Sequence, residues 1–331
     1  MAAFLLKEFA TQSEASTSQE GLQNRRLKVT LLSSEWRSST DGDLSTISRE
    51  LAIQLAKFSD VEVSVFLPRC SEGDRRNAES HDVQLIEAEE MVGLNPVDWL
   101  INLPDGHVMD CVLGHGVTLG KQVQFIKKHH HCKWIQVVHT APEELGIYRN
   151  ISEGEQQQKA EVKLCQLADE VVAIGPKLAD AYKRYLRSVK KEQNVFDLTP
   201  GIFSEFLDIE QAGEERMTFC VLVIGNGDSC KDFNVKGFDI AVKAIAELND
   251  KSYRLRFVYS QQEKGEEIAE MLLQHGINRN QLIVCSSNDS REVLANLFCQ
   301  VDLAIMPSRT EGYGLPALNP LRSKALSPDH P

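Results

Sequence analysis

Short runs of apolar residues recur along most of this chain. Between them lie stretches in which apolar positions return every three or four residues. Leu27–Leu32 and Val61–Leu67 are the first two runs, and between them Leu44, Ile47, Leu51, Leu55 and Phe58 keep helical spacing. Further runs stand at Val83–Ile86, Cys111–Gly114, Lys133–Val138 and Glu170–Ile174, with helical stretches over Gly120–His130 and Gly154–Ala168. Asn194–Phe206 carries Pro-Gly turn chemistry, and a charged stretch, Gln211–Arg216, follows it. The alternation then restarts: strand Phe219–Gly225, helix Phe238–Leu248, strand Arg254–Tyr259, helix Glu263–His275, strand Gln281–Cys285, helix Ser290–Cys299 and strand Val301–Met306.

Alternating short strands and helices are the signature of doubly wound parallel sheets. The pattern predicts an α/β chain with two Rossmann-like domains, residues 27–205 and 217–318, joined by a linker at 206–216. Two such domains imply a cleft between them, the usual place for a ligand. Residues 1–26, polar and rich in Ser, Gln and Glu, read as a disordered tail, and 319–331 as a second tail.

Composition narrows the class. At 331 residues and 42% apolar content the chain can build two ordinary cores. A net charge of -12 argues against non-specific nucleic-acid binding. Eight scattered cysteines without C-x-x-C spacing suggest free thiols in a reducing compartment. The apolar run Ala2–Leu6 is too short for a secretory signal, and no run approaches the roughly 18 residues of a membrane span. A cytoplasmic protein is expected.

The stretch with most chemistry is Ser308–Asn319, S-R-T-E-G-Y-G-L-P-A-L-N. It follows the strand Val301–Met306, and Pro316 is placed to open a helix at its first position. Gly312 and Gly314 flank Tyr313 and let the backbone turn close to a ligand. Amides at that helix mouth, through Leu315, would face an anion such as a phosphate. Glu311 stands beside them, where a carboxylate can hold sugar hydroxyls.

E-G-Y-G-L-P resembles the E-G-F-G-L-P signature of the group 1 glycosyltransferases, retaining enzymes of the two-domain GT-B architecture. Other segments resemble the same family in the same order. Ser33–Gln54, with Gly42, looks like the glycine-rich acceptor-side loop and helix. G-H-G at Gly114–Gly116 and V-V-H-T at Val137–Thr140 resemble its two strand-end histidine motifs. A-D-E-V-V-A-I-G-P-K-L-A-D at Ala168–Asp180 and the turn Thr199–Ile202 also match, so the likeness runs from Leu27 to Leu318.

The resemblance implies a nucleotide-diphosphate sugar as donor substrate, transfer with retention to an unknown acceptor, and no metal or other cofactor. His139 and Glu311 would stand at the reacting centre. Lys236, of Lys236-Gly237, would meet the diphosphate with the Gly312–Leu315 backbone, and Gly42 and His115 would face the acceptor side. The run His129–His131 with Cys132 reads as a solvated helix end instead of a metal site, since consecutive residues cannot all point at one ion.

Three departures matter. Asn226 stands where the family has an arginine, and Asn319 where its second glutamate completes an E-x7-E pair. A charged Asp43 follows Gly42 where the family commonly has a second glycine. After Leu318 the chain runs N-P-L-R-S-K-A-L-S-P-D-H-P and stops, so the second sheet is expected to lack its C-terminal strands and helices. That leaves Val301–Met306 as an edge strand open to aggregation or to a covering protein partner. Either an enzyme weak in this form, a catalytically inactive binding or regulatory module, or a fragment of a longer enzyme fits. A nucleotide-dependent oxidoreductase does not, because no G-x-G-x-x-G follows Leu27–Leu32.

Overall fold

The computed structural model describes residues 25–37, 44–187, 194–201, 217–225, 231–260, 265–287, 291–312 and 314. The chain divides into two compact units. The first comprises residues up to 38, 43–142 and 155–199, and the second chiefly 143–154 and 200 onward.

The first unit contains seven strands: β1 (Leu27–Leu32), β2 (Val61–Leu67), β3 (Val83–Glu87), β4 (Cys111–His115), β5 (Lys133–Val138), β6 (Glu170–Ile174) and β7 (Val195–Leu198). They pair in the order β3-β2-β1-β4-β5-β6-β7, every pair parallel. The helices in the same stretch of chain are α1 (Leu44–Ala56), α2 (Glu72–Glu79), α3 (Gly116–His129), α4 (Pro142–Tyr148), α5 (Ile151–Leu167) and α6 (Pro176–Leu186), of which α4 and the first turn of α5 belong to the second unit. Strands covered on both faces need no polar side, which is why they read as continuous apolar runs. One core gathers Phe66, Trp99, Val123, Ile126 and Trp134, and another Val138, Cys165, Leu178 and Tyr182. Each such side chain contributes about 1.5–3 kcal/mol by leaving water.

The second unit holds β8 (Phe219–Ile224), β9 (Tyr253–Ser260), β10 (Leu282–Ser287) and β11 (Leu303–Ala304), ordered β10-β9-β8-β11 and parallel. Helices α7 (Phe238–Leu248), α8 (Gly265–Leu273) and α9 (Arg291–Cys299) cover it. Along β8 the side chains alternate between two cores. Val221 and Val223 pack with Phe238, Val242 and Leu272, whereas Cys220 and Leu222 pack with Leu294 and Phe298.

Three aspartates clasp strand starts in both units. Asp110, Asp169 and Asp302 each precede a strand of their own and donate their backbone N–H to the carbonyl of Lys28, Trp134 or Cys220. The same three side chains accept the amide N–H of those residues, at 2.8, 2.8 and 2.6 Å. Lys127 adds a contact to Asp169. Burial alone would raise the Asp169 carboxyl, but the Lys127 and Trp134 hydrogen bonds outweigh it and hold it below the ordinary value.

Several expectations need correction at their edges. The helix expected to begin at Gly120 begins at Gly116, directly after β4, because Gly116 takes a positive φ (57°) that turns the chain. The Asn194–Phe206 segment is not only a turn: its first residues form β7, paired with β6. The strand expected over Val301–Met306 is confined to Leu303–Ala304, which pairs only with β8 and is an edge among the described residues. No helix of the described residues is long and apolar enough to cross a membrane.

Candidate functional site

In the second unit the chain leaves β8 and winds through a tight turn over residues 231–237 before entering α7. Lys236 lies near the end of that turn, and Glu311 lies in the loop after β11. The fold brings them together: Lys236 Nζ donates to Glu311 Oε1 at 2.6 Å, and Ser308 Oγ donates to the same oxygen at 2.9 Å. With Ile224, Phe238, Met306 and Pro307 they line one pocket, so an ion pair and a hydroxyl share it with apolar side chains.

Glycine at 237 is a steric necessity. Its φ is +67°, and a Cβ there would come 2.0 Å from the Pro307 carbonyl oxygen. The turn therefore lies directly on the loop that carries Glu311. Arg309 fastens the two. Its N–H donates to the Val235 carbonyl at 2.8 Å, and its guanidinium grips both oxygens of Asp239 at 2.6 and 2.8 Å. The same guanidinium also reaches the Asn234 carbonyl. Asp239 is buried in the first turn of α7, and the Arg309 hydrogen bond holds its carboxyl below the ordinary value against the effect of burial.

A second fastening grips the same turn further back, where Arg149 makes a two-pronged contact with the buried Asp232. Thr310 Oγ1 donates to Glu144 Oε2 at 2.9 Å. Sequence reasoning found Lys236, Glu311 and the glycines but not Arg309, Asp239, Ser308, Arg149 or Asp232. Arg309 and Asp239 are separated by 70 residues, so no local spacing links them. The available hint was an aspartate in the first turn of a helix, which reads equally as a dipole partner.

The first unit carries the two histidines at the ends of neighbouring strands. His115 closes β4 and His139 follows β5, with their Nδ1 and Nε2 atoms 2.9 Å apart. The glycines of G-H-G set this up. A Cβ on Gly114 would meet Val123 Cγ2 at 2.7 Å and Gly120 Cα at 3.1 Å, so the strand lies hard against α3. Gln136 Nε2 donates to the Gly116 carbonyl at 2.7 Å and fixes the turn after His115. Burial pushes the His115 imidazole down to about 4. Burial first, and His115 second, hold His139 well below the ordinary histidine value, so both rings are neutral near pH 7. Their outer nitrogens, His115 Nε2 and His139 Nδ1, are buried and have no hydrogen-bond partner among the described residues.

Gly314 takes a left-handed φ of 71° with Met306 Cε close by, and Gly312 lies beside Glu311. Gly42, Asn226, Tyr313, Leu315 and Asn319 lie outside the described residues, as do most of both tails and the linker. His129 and His131 are exposed around the end of α3, and no group of three or more metal-ligating side chains occurs among the described residues.

Two parallel α/β units, one with histidines at its strand ends and one with a Lys–Glu pocket, define a GT-B-like fold. Solved structures share it. Sucrose-phosphate synthase from Thermosynechococcus elongatus superposes with a TM-score of 0.71 at 16% identity, over 89% of this chain and 78% of that one. Anabaena Alr3699/HepE, solved in complex with UDP and glucose, gives 0.61 at 13%, over 87% and 76%. The catalytic domain of starch synthase IV from Arabidopsis thaliana, bound to ADP and acarbose, gives 0.59 at 12%, over 89% and 81%. Residues 30–324 match the family described as Family 4 Glycosyltransferase in conflict systems, and the chain belongs to that family. A comparison with curated proteins finds no match.

Proposed function

We propose that this chain binds a nucleoside diphosphate sugar in its second unit and transfers the sugar, with retention, to an acceptor. The observation that carries the reading is the Lys236–Glu311–Ser308 cluster at 2.6 and 2.9 Å, after strands of a family 4 chain. A departing diphosphate carries two negative charges, and a fixed cation stabilises it. Lys236 supplies that charge, the Gly312–Leu315 backbone adds amides, and Glu311 takes sugar hydroxyls. His139 is assigned to the donor sugar, and Gly42 and His115 to the acceptor side. The fold's solved relatives include complexes with UDP and with ADP, which agrees with a nucleotide donor. The nucleotide-sugar is a substrate, and no metal is needed to hold it. The scattered cysteines suit a cytoplasmic setting.

Turnover is expected to be weak. The arginine and glutamate replaced by Asn226 and Asn319 would each supply a charge-assisted hydrogen bond, worth roughly 1.5–3 kcal/mol. Together they amount to about two to four orders of magnitude in donor binding. The second reading, a binding module without catalysis, is favoured by the two asparagines, Asn226 and Asn319, that stand where the family has its arginine and second glutamate.

Calorimetric titration of the full chain with UDP, GDP and ADP, in buffer containing EDTA, tests the proposal. Weak binding of one nucleotide, lost in Lys236→Met and strengthened by Asn226→Arg with Asn319→Glu, is the expected result. Unchanged binding by Lys236→Met would overturn the site. Micromolar binding with sugar release by the unmodified chain would show that the two asparagines matter little. Binding without any sugar release from UDP-glucose or ADP-glucose would favour the module.

A further inference from the structure

The two histidines share one hydrogen bond, and its chemistry constrains more than their positions. A neutral imidazole carries a single N–H, on Nδ1 or on Nε2, and the other nitrogen accepts. The bond joins His115 Nδ1 to His139 Nε2 at 2.9 Å, with ring centroids 5.2 Å apart. One of these nitrogens must donate and the other accept. If His115 Nδ1 carries the proton, His139 Nε2 is bare and the His139 proton is on Nδ1. If His139 Nε2 carries it, His115 Nδ1 is bare and the His115 proton is on Nε2. In the first case both rings are Nδ1–H, and in the second both are Nε2–H. Any mixed arrangement sets two protons or two lone pairs against each other at hydrogen-bond distance in a buried site, where an unmade bond is costly because no water replaces it.

We infer that His115 is a positioning residue that locks the tautomer of His139 to its own, so that the two rings hold the same tautomer and exchange it only together. The outer atoms give this a consequence. In the Nδ1–H state His139 Nδ1 is a donor and His115 Nε2 an acceptor, and in the other state the roles reverse. Both atoms are buried and lack a partner among the described residues. A ligand oxygen that accepts from His139 Nδ1 therefore makes His115 Nε2 an acceptor on the far side of the pair. A ligand hydroxyl that donates does the opposite. The pair thus offers one of two polar faces as a unit, and the tautomer of His115 is tied to whatever His139 binds.

Neutrality, on which the argument depends, has a physical basis: burial pushes His115 down to about 4 and keeps His139 well below its ordinary range. The Gly114 contacts to Val123 and Gly120, together with the Gln136 bond to Gly116, leave the His115 backbone little room to move. The coupling itself needs no turnover; only its use in sugar transfer rests on the proposed function.

Two-bond 15N–1H correlation spectra of the full chain, labelled at histidine and recorded at pH 7, test it. His115→Asn and His139→Gln assign the two signals among the nine histidines. Each ring should show one protonated nitrogen, of the same kind in both. Opposite tautomers, or a charged ring, would overturn the inference. In His115→Leu, His139 should lose its single tautomer and average between the two forms, while the other histidine signals stay in place. His115→Asn keeps a polar atom near the Nδ1 position, but its amide can turn either its oxygen or its NH2 to His139, so the hydrogen bond should persist while His139 averages between tautomers. An unchanged His139 signal in His115→Leu would overturn the positioning role. If His115→Leu does not fold, the wild-type spectrum and the averaging in His115→Asn still decide. With UDP-glucose added, both rings should switch or neither; one ring switching alone would overturn the coupling. Absence of UDP-glucose binding would count against the proposed function and leave the tautomer result intact.

Discussion

The two units solve the problem of holding a polar side chain at a strand end by opposite means. In the first, His115 is buried and His139 half-buried, both neutral and fixed by close packing, with Gly114 pressed on α3 and Gly116 turning the chain. In the second, Lys236 and Glu311 are charged and partly exposed, and ion pairs hold their loops: Arg309 with Asp239, and Arg149 with Asp232. Packing tolerates salt and acid but not added volume. Ion pairs tolerate small changes of shape but depend on charge, ionic strength and pH.

The severest way to break the second arrangement is Gly237→Ala. A left-handed φ costs a non-glycine residue about 1–3 kcal/mol, and the new Cβ would meet the Pro307 carbonyl at 2.0 Å. We expect a total of about 4 kcal/mol or more, read as a large drop in the melting of the second unit and loss of nucleotide binding. An unchanged melt would mean that the turn does not rest on Pro307.

Arg309→Ala comes next. Removing one partner of a buried pair costs about 3–5 kcal/mol, and Arg309, about a quarter exposed, belongs at the lower end, near 3 kcal/mol. The pH profile carries the sign. The Asp239 carboxyl is held below its unfolded value, so the stabilisation is fully present above the unfolded value. It is lost as pH falls through the folded one. Wild-type stability should therefore drop below about pH 4 more steeply than that of Arg309→Ala, in denaturant melts across that range. Parallel curves would remove Asp239 from the argument.

Gly114→Ala sharpens the contrast from the first unit. It forces Val123 and α3 outward and should cost about 1–3 kcal/mol. The loss should be the same in low and high salt, whereas that of Arg309→Ala should shrink as salt rises. The smallest effect is expected from Ser308→Ala. It removes one hydrogen bond to Glu311 and should change stability or nucleotide affinity by about 0.5–1.5 kcal/mol.

Where an element buries a long apolar run, the sequence was easily read. Leu27–Leu32, Val61–Leu67, Lys133–Val138 and Glu170–Ile174 have the expected bounds, as has the helix Phe238–Leu248. Val195–Leu198 was missed because four residues beside a Pro-Gly turn carry too little pattern, and pairing with β6 decides their conformation. The helices α2, α4 and α6 were missed as well. For α2 the signal was the Ser71–Asp74 capping box, a local polar feature that an apolar period does not register. In the candidate site, charges beside glycines were legible as motifs. The reason Gly237 must be glycine was not, since its obstacle, Pro307, lies 70 positions away and only the folded β8–β11 pair brings it near.

The aspartate clasps have one further consequence, of axial position. Asp110 pins the start of β1 beside β4, whose far end is His115. Asp169 pins the start of β5, which ends just before His139, and Asp302 pins the start of β8, which ends at Ile224 in the Lys236 pocket. A strand is free to slide only along its own axis, and a slip of one residue carries its far end about 3.3 Å and turns every side chain to the opposite face. Each clasp is thus a zero mark from which a fixed number of residues is counted out to the chemistry. Inserting a single residue between Asp110 and His115 would leave the clasp closed and put the imidazole on the wrong side of the sheet.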